Sequence, residues 1–209
     1  MPHLSDRCCE IAELRQYTMV PGRLGELIEL FEREFIEPQE AVGNHVVGTF
    51  TDLDDPDRFV WIRGFGSLGE RIDALRGFYG SQLWADNAVA VNETLIDSDN
   101  VLLLQPADGR GLPDTPASDG TPSSRVFGVT VYALELGADD AAAVAAVPSS
   151  ALSVLRTHPG PNTFKGLPVR EGEQVIVVLT DGQPVTDQLP GAEIVQTLRL
   201  APTTRSALR

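Results

Sequence analysis

The sequence predicts an α+β protein built from two consecutive ferredoxin-like repeats, and three observations carry that reading. The order strand, helix, strand, strand, helix, strand runs through residues 7–105. A stretch made almost entirely of Pro, Gly, Asp, Ser and Thr, residues 106–124, then divides the chain. Beyond it the pattern restarts over residues 125–209, and the halves end alike, LLLQP at 102–106 and LRLAP at 198–202. Self-similarity of this kind is what an internal duplication leaves behind.

The first half yields its elements one by one. Residues 10–19 alternate, with Ile11, Glu13, Arg15, Tyr17 and Met19 on one parity and Ala12, Leu14, Gln16 and Thr18 on the other. Pro21-Gly22 breaks this strand, and Leu24, Leu27, Ile28, Phe31 and Phe35 form the apolar stripe of a helix that ends at Pro38. A second strand covers residues 42–51, with Asn44 and His45 at its start. The acidic turn at 52–57 lacks the glycine and distal glutamate of a helix-loop-helix calcium site, so it reads as a solvated hairpin. Residues 58–65 alternate again, Phe59, Trp61, Arg63 and Phe65 against Val60 and Ile62. Ser67 and Glu70 make a capping box that opens a helix through residue 83, with Ile72, Leu75 and Phe78 buried. The apolar run 101–104 closes the unit.

Residues 106–124 cannot build a core of their own and read as an exposed linker. Past them a strand is expected at 125–134 and an Ala-rich helix from Asp139 and Asp140 that is interrupted at Pro148 and resumes to about 155. Strands at 163–169 and 174–180 and a last strand at 194–201 complete the second half. Where its second helix should stand, QPVTDQLPG offers two prolines and no apolar stripe. The second repeat is therefore expected to lack one helix.

Composition narrows the partners. The 209 residues carry a formal net charge of −14 and no long basic run, which disfavours nucleic acid and anionic membrane surfaces. No apolar run reaches bilayer-spanning length and the first residues do not read as a signal peptide, so a cytoplasmic location is expected. The two cysteines, Cys8 and Cys9, are adjacent and read as reduced thiols. No nucleotide, flavin or metal motif stands out: Gly64-Phe65-Gly66 lacks the downstream glycine of a dinucleotide fingerprint.

The run ELRQYTMVPGRLGELIELFE, then VVGTF, RFVWIRGFGSLGER with RGFYGSQLW, and the closing RLAPTTRSALR resembles NIPSNAP-like proteins. The resemblance implies the dimeric α/β-barrel superfamily, in which two four-stranded ferredoxin-like sheets close into a barrel. Fused halves would let one chain build that barrel, while a homodimer stays open. The superfamily includes cofactor-free monooxygenases, haem enzymes, aldoxime dehydratases, small-ring cyclases and proteins of no known activity. No histidine here stands in an axial-ligand setting, so no cofactor is expected.

If helices cover the outside of such a barrel, the mixed parity lines its interior. Glu13, Arg15 and Tyr17 would then lie beside Trp61, Arg63 and Phe65, with His45 on the adjoining strand. His45 or Glu13 would deprotonate a phenol or enol, Arg15 and Arg63 would hold the anion, and Tyr17, Trp61 and Phe65 would stack the ring. The implied activity is cofactor-free oxygenation or cyclisation of a flat, ionisable, aromatic or polyketide-like molecule in specialised bacterial metabolism. Two plainer readings stand beside it: in one, Glu13 simply pairs with Arg15 or Arg63 to satisfy buried charge; in the other, the protein shelters a hydrophobic ligand without turning it over.

Overall fold

The computed structural model describes residues 7–209. Strands β1 (Ile11–Met19), β2 (His45–Asp52), β3 (Arg58–Phe65) and β4 (Leu95–Pro106) come from the first half. Strands β5 (Phe127–Leu134), β6 (Ser153–Thr157), β7 (Gln174–Asp181) and β8 (Ala192–Pro202) come from the second. All eight pair antiparallel and close into one barrel, in the order β1-β3-β2-β8-β5-β7-β6-β4. Each half thus contributes a four-stranded sheet of matching order, β4-β1-β3-β2 and β8-β5-β7-β6.

An eight-stranded barrel leaves an interior just wide enough for side chains to fill it. Here the filling is aliphatic: Ala12, Leu14, Val60 and Ile62 from the first sheet meet Val129, Val131, Val177 and Leu198 from the second. Across that interior Gln16 and Gln196 exchange two amide hydrogen bonds of 2.8 and 2.9 Å. The C-terminal tail is held along β2, where Leu208 N–H donates to the Val47 carbonyl and Ser206 Oγ accepts from Thr49 N–H.

Helices cover the outer face of the first sheet. Helix α1 (Leu24–Glu34) is followed at once by α2 (Ile36–Ala41), and α3 (Leu68–Tyr79) by α4 (Gln82–Asn92). Pro38 does not end the helical segment. It sits in the first turn of α2, where a missing N–H costs no hydrogen bond. Ser67 caps α3 by accepting from the Glu70 N–H at 3.2 Å, and Ser81 caps α4 in the same way through Trp84 N–H. No helix among the described residues is long and apolar enough to cross a membrane.

Four expectations need correction. Residues 106–124 are irregular but not simply exposed: Leu112, Pro113, Thr115 and Ser118 are buried. Arg7 and Pro113 form a bridge, and Cys8 N–H donates to the Leu112 carbonyl, so the segment is pinned across the barrel. The adjacent cysteines are not free thiols, because Cys8 and Cys9 are joined by a disulfide. The flanking backbone is tied on one side to Leu112 and on the other to Phe65, and Cys9 Sγ fills the space that a Cβ on Gly64 would need.

In the second half, α5 spans only Ala141–Ala146, and residues 153–157 form β6 rather than more helix, since Val154 and Leu155 pair with β7. Residues 163–169, expected as a strand, are part of the connection between β6 and β7. The segment between β7 and β8 forms no helix and lies directly on the sheet. Gly128 makes room for it, for a Cβ there would come within 2.3 Å of the Pro184 backbone.

Candidate functional site

The mixed face of β1 and β3 does not look into the barrel. Phe31 of α1 packs edge-on against Trp61 at 5.0 Å, and Tyr17, Phe59 and Trp61 cluster with Phe35 and Phe78 under the helices. The interior placement of Glu13, Arg15, Tyr17, Trp61, Arg63 and Phe65 is therefore corrected: all six lie in the layer between the sheet and α1–α4. The narrow barrel takes the small aliphatic parity, and the deeper layer under the helices takes the long and aromatic one.

Within that layer Glu13 is the hub of four buried charges. Its Oε2 accepts from Arg15 Nη1 and from Arg63 Nε, each at 2.7 Å, and its Oε1 accepts from Arg71 Nε at 2.6 Å. All four side chains are essentially inaccessible to solvent. β1 and β3 place the first three, Glu13 standing opposite Arg63 and Arg15 opposite Trp61 in the ladder. α3 supplies Arg71, which the sequence reading missed. It falls on the buried stripe Arg71, Ala74, Leu75 and Phe78, and a charge on an apolar stripe was the available signal.

Burial alone would raise the Glu13 carboxyl, but Arg63, Arg15 and Arg71 hold it far below the usual carboxylate range. A carboxylate so tightly held does not accept a proton at neutral pH, so the structure gives Glu13 no role as a base. Three guanidiniums against one carboxylate leave the cluster with two uncompensated positive charges.

The cluster reaches a cavity of about 450 Å³ through Arg15. Arg15, Tyr17 and Trp61 make its floor, while Phe31 and Phe35 of the α1 region and Phe78, Tyr79 and Trp84 of the α3–α4 region make its walls. Phe164 and Leu167, from the connection between β6 and β7, close one side. That connection is tied to the charges through Asn162, whose Oδ1 accepts from Arg71 Nη1 at 3.3 Å and whose Nδ2 donates to the Leu167 carbonyl at 2.7 Å.

The arginines sit against aromatic faces, Arg63 at 4.9 Å from the Trp61 ring centre and Arg15 at 5.6 Å from that of Tyr17. Several buried donors have no partner: Trp61 Nε1, Arg63 Nη1, Arg71 Nη2 and Gln39 Nε2. Burial pushes the Tyr79 hydroxyl up against the opposing effect of Arg63 beside it, so it stays protonated at neutral pH.

The remaining expected site residues fall elsewhere. Phe65 packs with Leu75 under α3, outside the cavity lining. His45 lies at the start of β2, where Nδ1 is 3.0 Å from Glu40 and Nε2 is 3.6 Å from Asp114, and it too is outside the lining. The structure thus brings Arg15, Tyr17 and Trp61 together on the cavity, with Glu13 and Arg63 behind them. A wider cleft of about 770 Å³ lies at the ends of β6 and β7. Its charges largely satisfy one another, Arg156 with Asp140 and Arg170 with Glu173.

Comparison with known proteins places this half of the molecule. No curated protein matches the chain. A NIPSNAP family protein from Agrobacterium tumefaciens is 23% identical, over 47% of this chain and 87% of that one, with a TM-score of 0.44. An uncharacterized NIPSNAP-like domain protein from Burkholderia xenovorans is 24% identical, over 50% and 90%, with a TM-score of 0.45. A Lactobacillus acidophilus protein described as a presumptive monooxygenase aligns over 94% of this chain and 97% of its own at 12% identity and a TM-score of 0.52, a likeness of fold alone. The family model described as NIPSNAP matches residues 12–108, the segment that supplies β1 to β4 and all four helices over the cavity. The first half of the chain is thus similar to NIPSNAP proteins, and most of the cavity lining falls within the matched segment.

Proposed function

We propose that the helix-covered cavity of the first half binds a flat organic anion and stabilises its negative charge. The observation that carries this is an aromatic-walled space lined by Arg15, the edge of a buried cluster with two excess positive charges, and by Trp61, whose Nε1 has no partner. An unpaired buried donor costs about 1–3 kcal/mol, more when charged, and an anionic ligand would recover that cost. The aromatic walls favour a planar body, and Arg15, held against Tyr17 and Trp61, is the guanidinium on the lining that would meet its charged group.

In the enzymic form of this proposal the substrate is a phenol or enol. The positive field of Arg15 and Arg63 lowers its pKa, the proton leaves to solvent, and the electron-rich anion reacts with molecular oxygen, cyclises or rearranges. Tyr17 and Trp61 stack the ring and exclude water. A second reading, a non-catalytic binder of the same anion, is favoured by one observation: His45 does not line the cavity, and the carboxylate that does, Asp99, is solvent-exposed. Both readings share the binding step. They part on whether a bound phenol or enol is converted.

We also infer that the barrel arose by tandem duplication, with halves at 7–105 and 125–209 joined by 106–124. The matching strand orders support it, with the second copy departing in the helix missing between β7 and β8.

The binding step has a convenient readout, because the two tryptophans of the chain, Trp61 and Trp84, both line the cavity. Titration with naphthoate should quench their fluorescence, and the neutral methyl ester should bind at least about tenfold more weakly. Arg15→Met should weaken naphthoate about ten- to hundredfold, the range expected for losing a hydrogen bond to a charged group. Equal binding of acid and ester, or of wild type and Arg15→Met, would refute the proposal.

A further inference from the structure

Gln39 is the one lining residue on α2, and its chemistry is out of place there. It is 1% exposed, although glutamine is ordinarily a surface residue. Its side chain is pinned: Oε1 accepts from Asn44 Nδ2 at 2.6 Å, and Asn44 is itself fully buried. The backbone of Gln39 is occupied as well, its N–H donating to Phe35 and its carbonyl accepting from Asn44. Only the second half of the carboxamide is left over, and its Nε2 has no partner. Asn44 Oδ1 is likewise buried without a partner and is not bonded to it, and Phe35 and Phe78, which also line the cavity, offer it no acceptor. A simple turn-stabilising role would use the Oε1–Asn44 bond alone, which a shorter or more exposed side chain could make without burying an unpaired donor.

We infer that Gln39 is a second anchor of the cavity, and that its ligand carries an uncharged oxygen, hydroxyl or carbonyl, in addition to its anionic group. The inference rests on the anion-binding reading and refines it. The sheet side of the cavity holds the charge through Arg15 and Trp61. The helix side, through Gln39, reads a neutral oxygen on the same planar body. The ligand class is accordingly a hydroxy- or keto-substituted fused-ring acid or phenol rather than a simple aromatic acid. A site that hydrogen-bonds such a group rejects an analogue lacking it, because the buried amide is then left unpaired.

The test compares naphthoate with each of its monohydroxy derivatives by tryptophan fluorescence. Wild-type protein should bind at least one hydroxy isomer about tenfold or more tightly than naphthoate itself. In Gln39→Leu that ratio should fall to about one, and Gln39→Met, which keeps the length of the side chain, should behave alike should the first variant fold poorly. Thermal melting of each variant establishes that it is folded before its ratio is read. No preference for any hydroxy isomer in the wild type, or a preference that survives in the folded variants, would overturn the role of Gln39 while leaving the anion site intact. Failure of naphthoate to bind the wild type at all would overturn the anion-binding reading and this inference with it.

Discussion

On the outer face of the first sheet, the central pairs of β1 and β3 are Glu13 with Arg63 and Arg15 with Trp61. On the outer face of the second sheet, β5 and β7 place Thr130 with Val178 and Tyr132 with Ile176. The second face is closed mainly by apolar contact, with Val144 of α5 and Leu189 packed on Ile176 and Val178, and Arg156, opposite Ile176, pairs with Asp140 at 3.2 Å. Its two hydroxyls are both used, Thr130 Oγ1 donating to the Val185 carbonyl at 2.7 Å and Tyr132 Oη to that of Asp187 at 2.9 Å. The same barrel therefore carries a mainly apolar cover with one idle donor, Arg156 Nε, over one sheet and a charged cavity with several idle donors over the other. Closing the barrel does not require the charges. Buried ion clusters contribute little to stability relative to well-packed apolar groups, so the first face is better explained by what it holds than by what it stabilises.

The comparison can be broken most forcefully at Glu13. Replacing it by Gln removes the only negative charge from among three buried guanidiniums, and unfolding in urea should show a loss of about 3–5 kcal/mol. Thr130→Val in the matching position should cost only about 1 kcal/mol. The Glu13 carboxylate is held well below its ordinary pKa, so its contribution is present above that ordinary value and is lost only as pH falls through the lower folded value. Wild-type stability should accordingly keep this contribution in mildly acidic buffer.

A second change makes the first face resemble the other. With Glu13→Leu, Arg15→Met, Arg63→Met and Arg71→Met combined, stability should be unchanged or raised by about 1–4 kcal/mol, while naphthoate binding disappears. A large loss of stability in this variant would show that the charges serve the fold. On the second face, Tyr132→Phe should cost about 1 kcal/mol, since it leaves the Asp187 carbonyl without its donor.

The smallest effect concerns the contact between β2 and the segment joining the halves, where His45 meets Glu40 and Asp114. The hydrogen bond to Glu40 raises the His45 pKa, against burial, which lowers it. The resulting stabilisation is complete below the ordinary histidine value, near 6.5, and fades as pH rises through the higher folded value. It should amount to less than about 1 kcal/mol, and His45→Gln should flatten that part of the stability-against-pH curve.

The strands of the first half were legible because β1 and β3 alternate strictly and because Ser67 and Glu70 announce a helix. Their parity showed that the two faces differ, but not which one turns inward. That depends on the width of the closed barrel, a property of all eight strands together. The charged group was legible in part: Glu13, Arg15 and Arg63 stood out in their strands, whereas Arg71 looked like any helical arginine until its stripe was followed. Gln39 carried no local signal, for its burial is decided by how α2 seats on the sheet. In the second half, β6 was hidden by the Ala-rich segment before it, and the apparent strand at 163–169 has its apolar residues because it packs against the cavity and α3.

The proposed organic anion would occupy the space between β1, β3 and helices α1–α4. A crystal structure with a bromonaphthoate, located by the anomalous signal of its bromine, tests this most directly. The account predicts the ring between Trp61 and the aromatic side chains of α1 and α3, with the carboxylate within hydrogen-bonding reach of Arg15 or Trp61 Nε1. Bromine located only in the cleft at the ends of β6 and β7, or a carboxylate turned away from the arginines toward solvent, would contradict it.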